Sequence, residues 1–396
     1  MNRIIIFVVF WLVSLNSGNA QFFCNFQNYA RHDGLSDEFI FSLSQDTTGY
    51  IWMATSYGIN RFDGLLFHSF IKSEHQYQSV LRNDFNCVFT DSKGRIWFGS
   101  HNGTIMMYNQ EKDQFQNVSL DFEYHLEYPS ISRFYESHNK LYALTSHGVL
   151  LYNEQSGTFN FAFQEFPVFK QIHVISMIQD DAGNFWFGTA KSGLLYVDAQ
   201  QKTVKVFPIQ DELGILRIPS FCKINKNLIY IGTSRGIYEL QPSNHIIVKS
   251  TYFNTVEQNY ISSIVRDSSH NIWIGTNYNG LWVYDANNLF YKIEDYQTEG
   301  IKIASVNAIL CDKENSIWVA TQGNGLFLYN PSKNKVQHTS MEVGLAHKVV
   351  SAITEDGNGN LWIGTDGGGI SIFSPYYGYL SEIQTPYIPS NSVLAF

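Results

Sequence analysis

The sequence predicts an all-β fold, a β-propeller of four-stranded blades with about 44 residues per blade, seven blades being favoured over eight. Three observations carry that expectation. A large aromatic side chain recurs at Trp52, Trp97, Tyr142, Trp186, Tyr230, Trp273, Trp318 and Trp362, with successive gaps of 45, 45, 44, 44, 43, 45 and 44 residues. Fixed offsets from each anchor hold one residue class. The intervening stretches are glycine-punctuated runs of period-two apolar alternation, the pattern of strands and not of helices.

Taken in chain order, each repeat begins with a turn. Six residues before every Trp anchor stands an aspartate (Asp46, Asp91, Asp180, Asp267, Asp312, Asp356), a residue suited to bonding the backbone amides of a tight turn. Three before each anchor stand Gly49, Gly94, Asn139, Gly183, Asn227, His270, Asn315 and Gly359, types that tolerate positive φ. A catalytic carboxylate repeated six times would make little chemical sense, so these aspartates read as turn builders. Two after the anchor the residue is small (Ala54, Gly99, Gly188, Gly232, Gly275, Ala320, Gly364), Leu144 excepted, which lets neighbouring sheets approach. Three after it stands a hydroxyl, from Thr55 and Ser100 to Thr365. A second glycine turn follows, from Gly58 to Gly369, and then alternating strands such as residues 281–284, with a looser outer strand near 290–296. A blade cannot bury both of its faces alone, so the copies must stack radially, which accounts for 30 Phe, 24 Tyr and 8 Trp without invoking a ligand.

The ends of the chain carry further expectations. Residues 1–20 read as a signal peptide, with Arg3 ahead of an apolar run at 4–15 and small residues, Gly18 and Ala20, before a cut after Ala20. That run would rise only about 18 Å as a helix, short of a bilayer core of about 30 Å. The mature chain is thus expected in the periplasm, or alternatively outside the cell, with no membrane insertion. Residues 21–396 then hold eight repeat copies; residues after about 345 either begin a second propeller or close the first. Residues 22–37 resemble an outer strand and the link into the next blade, and residues 391–396 the first strand of a ninth copy, as though the chain were truncated.

Composition excludes several function classes. Twenty-six Lys+Arg against 35 Asp+Glu give a formal charge of −9, without a basic run, which argues against nucleic acid as a partner. Cys24, Cys87, Cys222 and Cys311 are widely separated and read as buried free thiols; the twelve histidines form no metal-ligand motif. No cofactor, no metal and no catalytic residue is predicted.

The pattern D-x-x-G-x-[IL]-W-[apolar]-[GA]-T followed by G-[IL]-x-x-[FY], clearest at residues 356–373 and 267–284, resembles the two-component regulator propeller repeat. The resemblance covers nearly the whole mature chain. It implies the periplasmic sensor of a hybrid histidine kinase of glycan-degrading gut Bacteroidetes, in which two seven-bladed propellers and a β-sandwich precede a membrane helix, a kinase and a receiver. The chain itself carries no kinase phosphate-binding motif and no receiver aspartate site, so the phosphorelay is not carried over to it. A sialidase Asp-box would place Asp five before Trp, where the spacing here is six. A virginiamycin-type lyase has a similar repeat but needs a histidine and an acid with a metal in the central funnel.

Where the repeat stops repeating, recognition is expected. In an antiparallel blade, the link into the first strand and the turn between the second and third strands emerge at one end. These segments wander through polar, basic and aromatic types, including His147, Lys191 and Arg217, while the framework offsets stay constant. Tyr57 and Tyr278 could stack on a sugar ring, with Arg82, His101, Arg235, Asn279 and Gln322 bonding hydroxyls or an acidic group; each could equally be a solvated turn residue. Trp282 reads as core. The expected function is an exported, non-catalytic sensor propeller for an oligosaccharide or other small ligand, with a homodimer as a further expectation. A secreted lyase or glycoside hydrolase with a funnel site, and a protein-docking scaffold, are the alternatives.

Overall fold

The aspartate and tryptophan of a repeat fold as one unit. In the computed structural model, which describes residues 26–72, 84–110, 112–121, 129–293, 303–331, 344–374 and 378–396, Asp46 Oδ1 accepts the N–H groups of Thr48 (2.9 Å) and Tyr50 (3.0 Å). Its Oδ2 accepts the Trp52 indole N–H at 2.8 Å. The indole bond recurs at Asp91–Trp97, Asp180–Trp186, Asp267–Trp273, Asp312–Trp318 and Asp356–Trp362, at 2.7 to 3.1 Å. Charge-assisted bonds of this kind let a carboxylate lie buried, as Asp46 and Asp91 do. The predicted turn role is therefore half of the account; the other half is that the acid holds the anchor. Where the anchor is Tyr142 or Tyr230, the position six before it holds Glu136 or Ile224.

The turn offset takes left-handed backbone at Gly49, Gly94, Asn139, Gly183, His270, Asn315 and Gly359, with φ between 59° and 99°; Asn227 is the exception. The hydroxyl has a defined task as well. Thr55 Oγ1 donates to the Gly58 carbonyl at 2.9 Å, and Thr145, Thr189, Thr233, Thr276, Thr321 and Thr365 cap the second glycine turn in the same way. Ser100 instead donates to Asn102 Oδ1.

The chain forms two compact units, residues 24–334 and a second holding 335–396. In the first, seven four-stranded antiparallel sheets follow one another: blade 1 at 40–70, blade 2 at 85–118, blade 3 at 131–161, blade 4 at 174–207, blade 5 at 220–249, blade 6 at 261–292 and blade 7 at 306–329. Innermost strands neighbour one another in sequence order, and that of blade 7 neighbours that of blade 1, so the ring closes at seven. The outer strand of blade 7 is Phe26–Tyr29, paired Phe26↔Tyr329 through Tyr29↔Leu326. The first described segment thus fastens the last blade of the wheel.

Packing between blades follows from the anchors. Trp52 lies against Phe98 and Tyr108 of blade 2, Trp97 against Phe134 and Tyr152 of blade 3, and Trp318 against Phe62 of blade 1. A Cβ added to Gly188 would fall 2.4 Å from the Ile218 carbonyl oxygen, and one on Gly275 would fall 2.5 Å from Val306, which is why the offset beside the anchor stays small. Trp282 is core, as expected, with its indole N–H on the Asn279 carbonyl at 3.0 Å. Cys87 and Cys222 are buried free thiols, pushed up to about 12 and about 11 by burial; Cys24 and residues 1–20, the expected signal peptide, lie outside the described residues.

The second unit holds one further sheet, Val350–Glu355, Leu361–Thr365, Gly369–Ser374 and Gly378–Ile383. Residues 391–396 make the bridge Asp366↔Ser392 rather than a strand, although the Val393 N–H bonds the Thr365 carbonyl at 2.9 Å. Val350, Ile353 and Leu361 are 42%, 63% and 40% exposed, while their ring counterparts in blade 2, Phe85, Val88 and Ile96, are buried.

Candidate ligand face

In blades 1 and 3 to 7 the two variable segments are stitched together by the backbone. The residue after the hydroxyl donates its N–H to the carbonyl just ahead of the innermost strand: Ser56 to Phe39, Ser146 to Ser130, Ala190 to His173, Ser234 to Arg217, Asn277 to Tyr260 and Gln322 to Ser305, all at 2.8 to 3.0 Å. Turn and link therefore share one end of the wheel, termed the link end. The tight aspartate turns occupy the other, the turn end.

All described candidates lie at the link end. Tyr57 and Tyr278 are 51% and 81% exposed. Asn279 Nδ2 donates to Asn259 Oδ1 at 2.7 Å, and its Oδ1 accepts from Lys292 Nζ at 3.0 Å. Ser305 Oγ lies 3.1 Å from both Asn277 Oδ1 and Gln322 Oε1, and Gln322 bridges to Phe39 on the link into blade 1. Blades 6, 7 and 1 are thus joined by one amide and hydroxyl network. His101 stands apart on blade 2, edge-on to Phe41 and 3.4 Å from Ser130 Oγ, and Arg235 is paired with Asp211 at 3.1 Å on blade 5. Arg82 lies outside the described residues.

Tyr278 carries a backbone cost. Its φ is +69°, where blade 7 places Gly323 (+96°) at the same turn position. A bulky exposed side chain in that region is strained by about 1–2 kcal/mol.

Four segments, residues 34–57, 79–102, 255–278 and 344–367, match the family model described as two component regulator propeller. These are two-component regulator propeller repeats. The extracellular domain of a protein described as a hybrid two component system of B. thetaiotaomicron is 27% identical to this propeller, with a TM-score of 0.75. The match covers 94% of this chain and 50% of that one, so the chain spans about half the length of that homologue. The extracellular domain of a B. thetaiotaomicron protein described as a one component system is 20% identical (TM-score 0.62, 93% and 49% covered), and virginiamycin B lyase from Staphylococcus aureus is 14% identical (0.59, 77% and 99%); both share the fold. No curated protein matches the chain.

Two features of the wheel escaped the sequence reading. The first is Arg133. Its position in the innermost strands otherwise holds Ser42, Cys87, Ser176, Ser220, Ser263 and Ala308, so one long cation stands in a column of small residues, a signal legible in the repeat alignment. The second is a cavity of about 340 Å³ at the turn end between blades 3 and 4, lined by Tyr142, Phe163, Phe185 and Lys202 among others. It borders a Tyr anchor, the position an indole fills in blades 1, 2, 4, 6 and 7. Among the described residues, no group of three or more His, Cys, Asp or Glu side chains converges as a metal site, and no helix is long and apolar enough to cross a membrane.

Proposed function

We propose that this propeller is the exported, non-catalytic sensor portion of a hybrid two-component system, and that it holds an oligosaccharide or other small ligand at the link end. The observation that carries the reading is the 27% identity over 94% of the chain to the extracellular domain of such a system. The strained, exposed Tyr278 supports the choice of end, since strain persists where something other than stability retains it. Tyr57, Arg82, His101, Arg235, Tyr278, Asn279 and Gln322 form the proposed set. The periplasm is the proposed compartment, with residues 1–20 removed on export. The ligand would act by binding two arrangements of a homodimer with different affinity, because equal affinity shifts no equilibrium. The sheet at 350–383 is proposed as one blade of a further wheel, its exposed Val350, Ile353 and Leu361 matching core positions of the ring.

Calorimetry against a panel of oligosaccharides, with the ligand recovered and analysed afterwards, tests the sensor reading. Saturable binding with intact ligand is the expected result. Turnover would make the protein an enzyme instead, and silence across the panel would favour a docking scaffold.

A further inference from the structure

The link end is chemically divided. Blades 6, 7 and 1 present the amide network and the exposed tyrosines. Around blades 3, 4 and 5 the same end gathers basic side chains: His147 on the turn of blade 3, Lys191 on that of blade 4, His173 and Arg217 on the links into blades 4 and 5, and Arg133 in the innermost strand of blade 3.

Backbone geometry holds this set together. The Ala190 N–H bonds the His173 carbonyl at 3.0 Å and the Ile218 N–H bonds the Thr189 carbonyl at 3.1 Å, which sets the turn that carries Lys191 beside the links that carry His173 and Arg217. Ser132 Oγ lies 3.0 Å from His173 Nε2, tying the residue beside Arg133 to the same cluster. His173 is held below its ordinary pKa, first by burial and then by Arg217, His147 and Lys191, which puts these four groups within electrostatic reach of one another. Arg133 has exposed surface but is crowded by protein around it; desolvation pulls its pKa down, with Cys87 and, from the link into blade 6, Tyr260 acting against that shift.

The cluster is also short of acid. Lys191, Arg217 and Arg133 are exposed, and none forms an ion pair with a described carboxylate; Asp211, on the hairpin just before Arg217, is taken by Arg235. In a chain of net charge −9, gathered cations left without a described carboxylate repel one another at a cost that an anionic ligand would remove.

We propose that the link end binds an acidic oligosaccharide, its carboxylate or sulfate groups meeting Lys191, Arg217 and Arg133 while its sugar rings extend over the tyrosine and amide half. This deepens the sensor reading and rests on it. Both halves of the end are then used: cations for the anionic groups, rings and amides for the hydroxylated remainder.

The test uses the full chain and calorimetry with two probes, an oligogalacturonide and a chondroitin sulfate oligosaccharide, each beside its neutral form with carboxyls reduced and sulfates removed. At least one acidic probe should bind about tenfold or more tighter than its neutral form, equivalent to about 1.4 kcal/mol, and the advantage should shrink as salt rises. Lys191→Ala and Arg217→Gln should each weaken that probe about fivefold or more and leave melting unchanged; Arg133→Gln gives a third reading from the innermost strand of blade 3. Preference for the uronate or for the sulfate identifies which anion is read. If neutral forms bind as well as acidic ones, or if the variants do not discriminate, the acidic assignment falls while the sensor reading stands. If neither these probes nor any neutral oligosaccharide of the wider panel binds, both fall.

Discussion

The two ends of the wheel are built on opposite principles. At the turn end a tight loop recurs, in blades 1, 2, 4, 6 and 7 with the same aspartate, a left-handed residue and the same indole bond, because there the loop must deliver a Trp into the seam between two sheets. At the link end the backbone bonds between turn and link are just as regular, yet the side chains they carry differ from blade to blade. A rigid framework that fixes the backbone leaves the side chains above it free to serve recognition. Substitutions at the turn end should therefore move stability, and substitutions at the link end should move binding.

The largest expected effect is at the anchor. Trp186 is fully buried against Tyr196, and its indole N–H bonds Asp180 at 3.0 Å. Trp186→Ala should cost about 3–5 kcal/mol in denaturant unfolding of the ring, from lost burial and the cavity left behind. A loss under about 1 kcal/mol would mean that the seam does not depend on its anchors, and the contrast between the ends would fail.

Next comes a comparison within the turn end. Asp180→Ala removes the acceptor for the Ala182 and Asn184 amides and for the indole, and should cost about 1–3 kcal/mol. Glu136, at the same offset in a blade with a Tyr anchor, instead accepts from the amide and hydroxyl of Ser92 on the neighbouring blade at 2.7 and 2.6 Å. That contact is exposed, so Glu136→Ala should cost about 0.5–1 kcal/mol. Equal losses at the two positions, measured by chemical denaturation, would show that the turn and indole bonds of Asp180 together add nothing beyond an exposed side-chain contact.

The sequence made the turn end legible because the same physical demand is stated there eight times. Anchor spacing, left-handed offsets and the small residue beside the Trp could each be read from recurrence, and the strands at Ile272–Thr276 and Leu281–Tyr284 fall where alternation placed them. The indole bond was harder to see, since an Asp before a Gly turn already has a sufficient reason to be there; only its loss beside Tyr230, where Ile224 replaces it, points to a second task. Recognition at the link end leaves no such recurrence. Tyr278 and Lys191 sit in segments flagged by their variability, which shows where side chains are free to differ but not which of them act together. Arg133 was overlooked for the opposite reason: it lies within a strand, where attention to loops does not reach, and its meaning emerges only when the ring sets it next to Ser132, which meets His173 on the link into blade 4.

The smallest effect on stability is expected at Tyr278, and it is the most discriminating. Its side chain is 81% exposed and its φ of +69° is the conformation for which blade 7 uses glycine. Tyr278→Gly relieves about 1–2 kcal/mol of strain but loosens the unfolded chain by about 0.5–1 kcal/mol, so the net change should lie between zero and about 1.5 kcal/mol of added stability. Against whichever oligosaccharide binds, the same variant should lose affinity, because a stacking surface has been removed from the link end. A variant that is as stable as the parent, or more so, and that binds less well would place Tyr278 on the recognition side of the divide. Marked destabilisation with unchanged affinity would instead make the tyrosine part of the framework and move the boundary between the two ends upward into the turns.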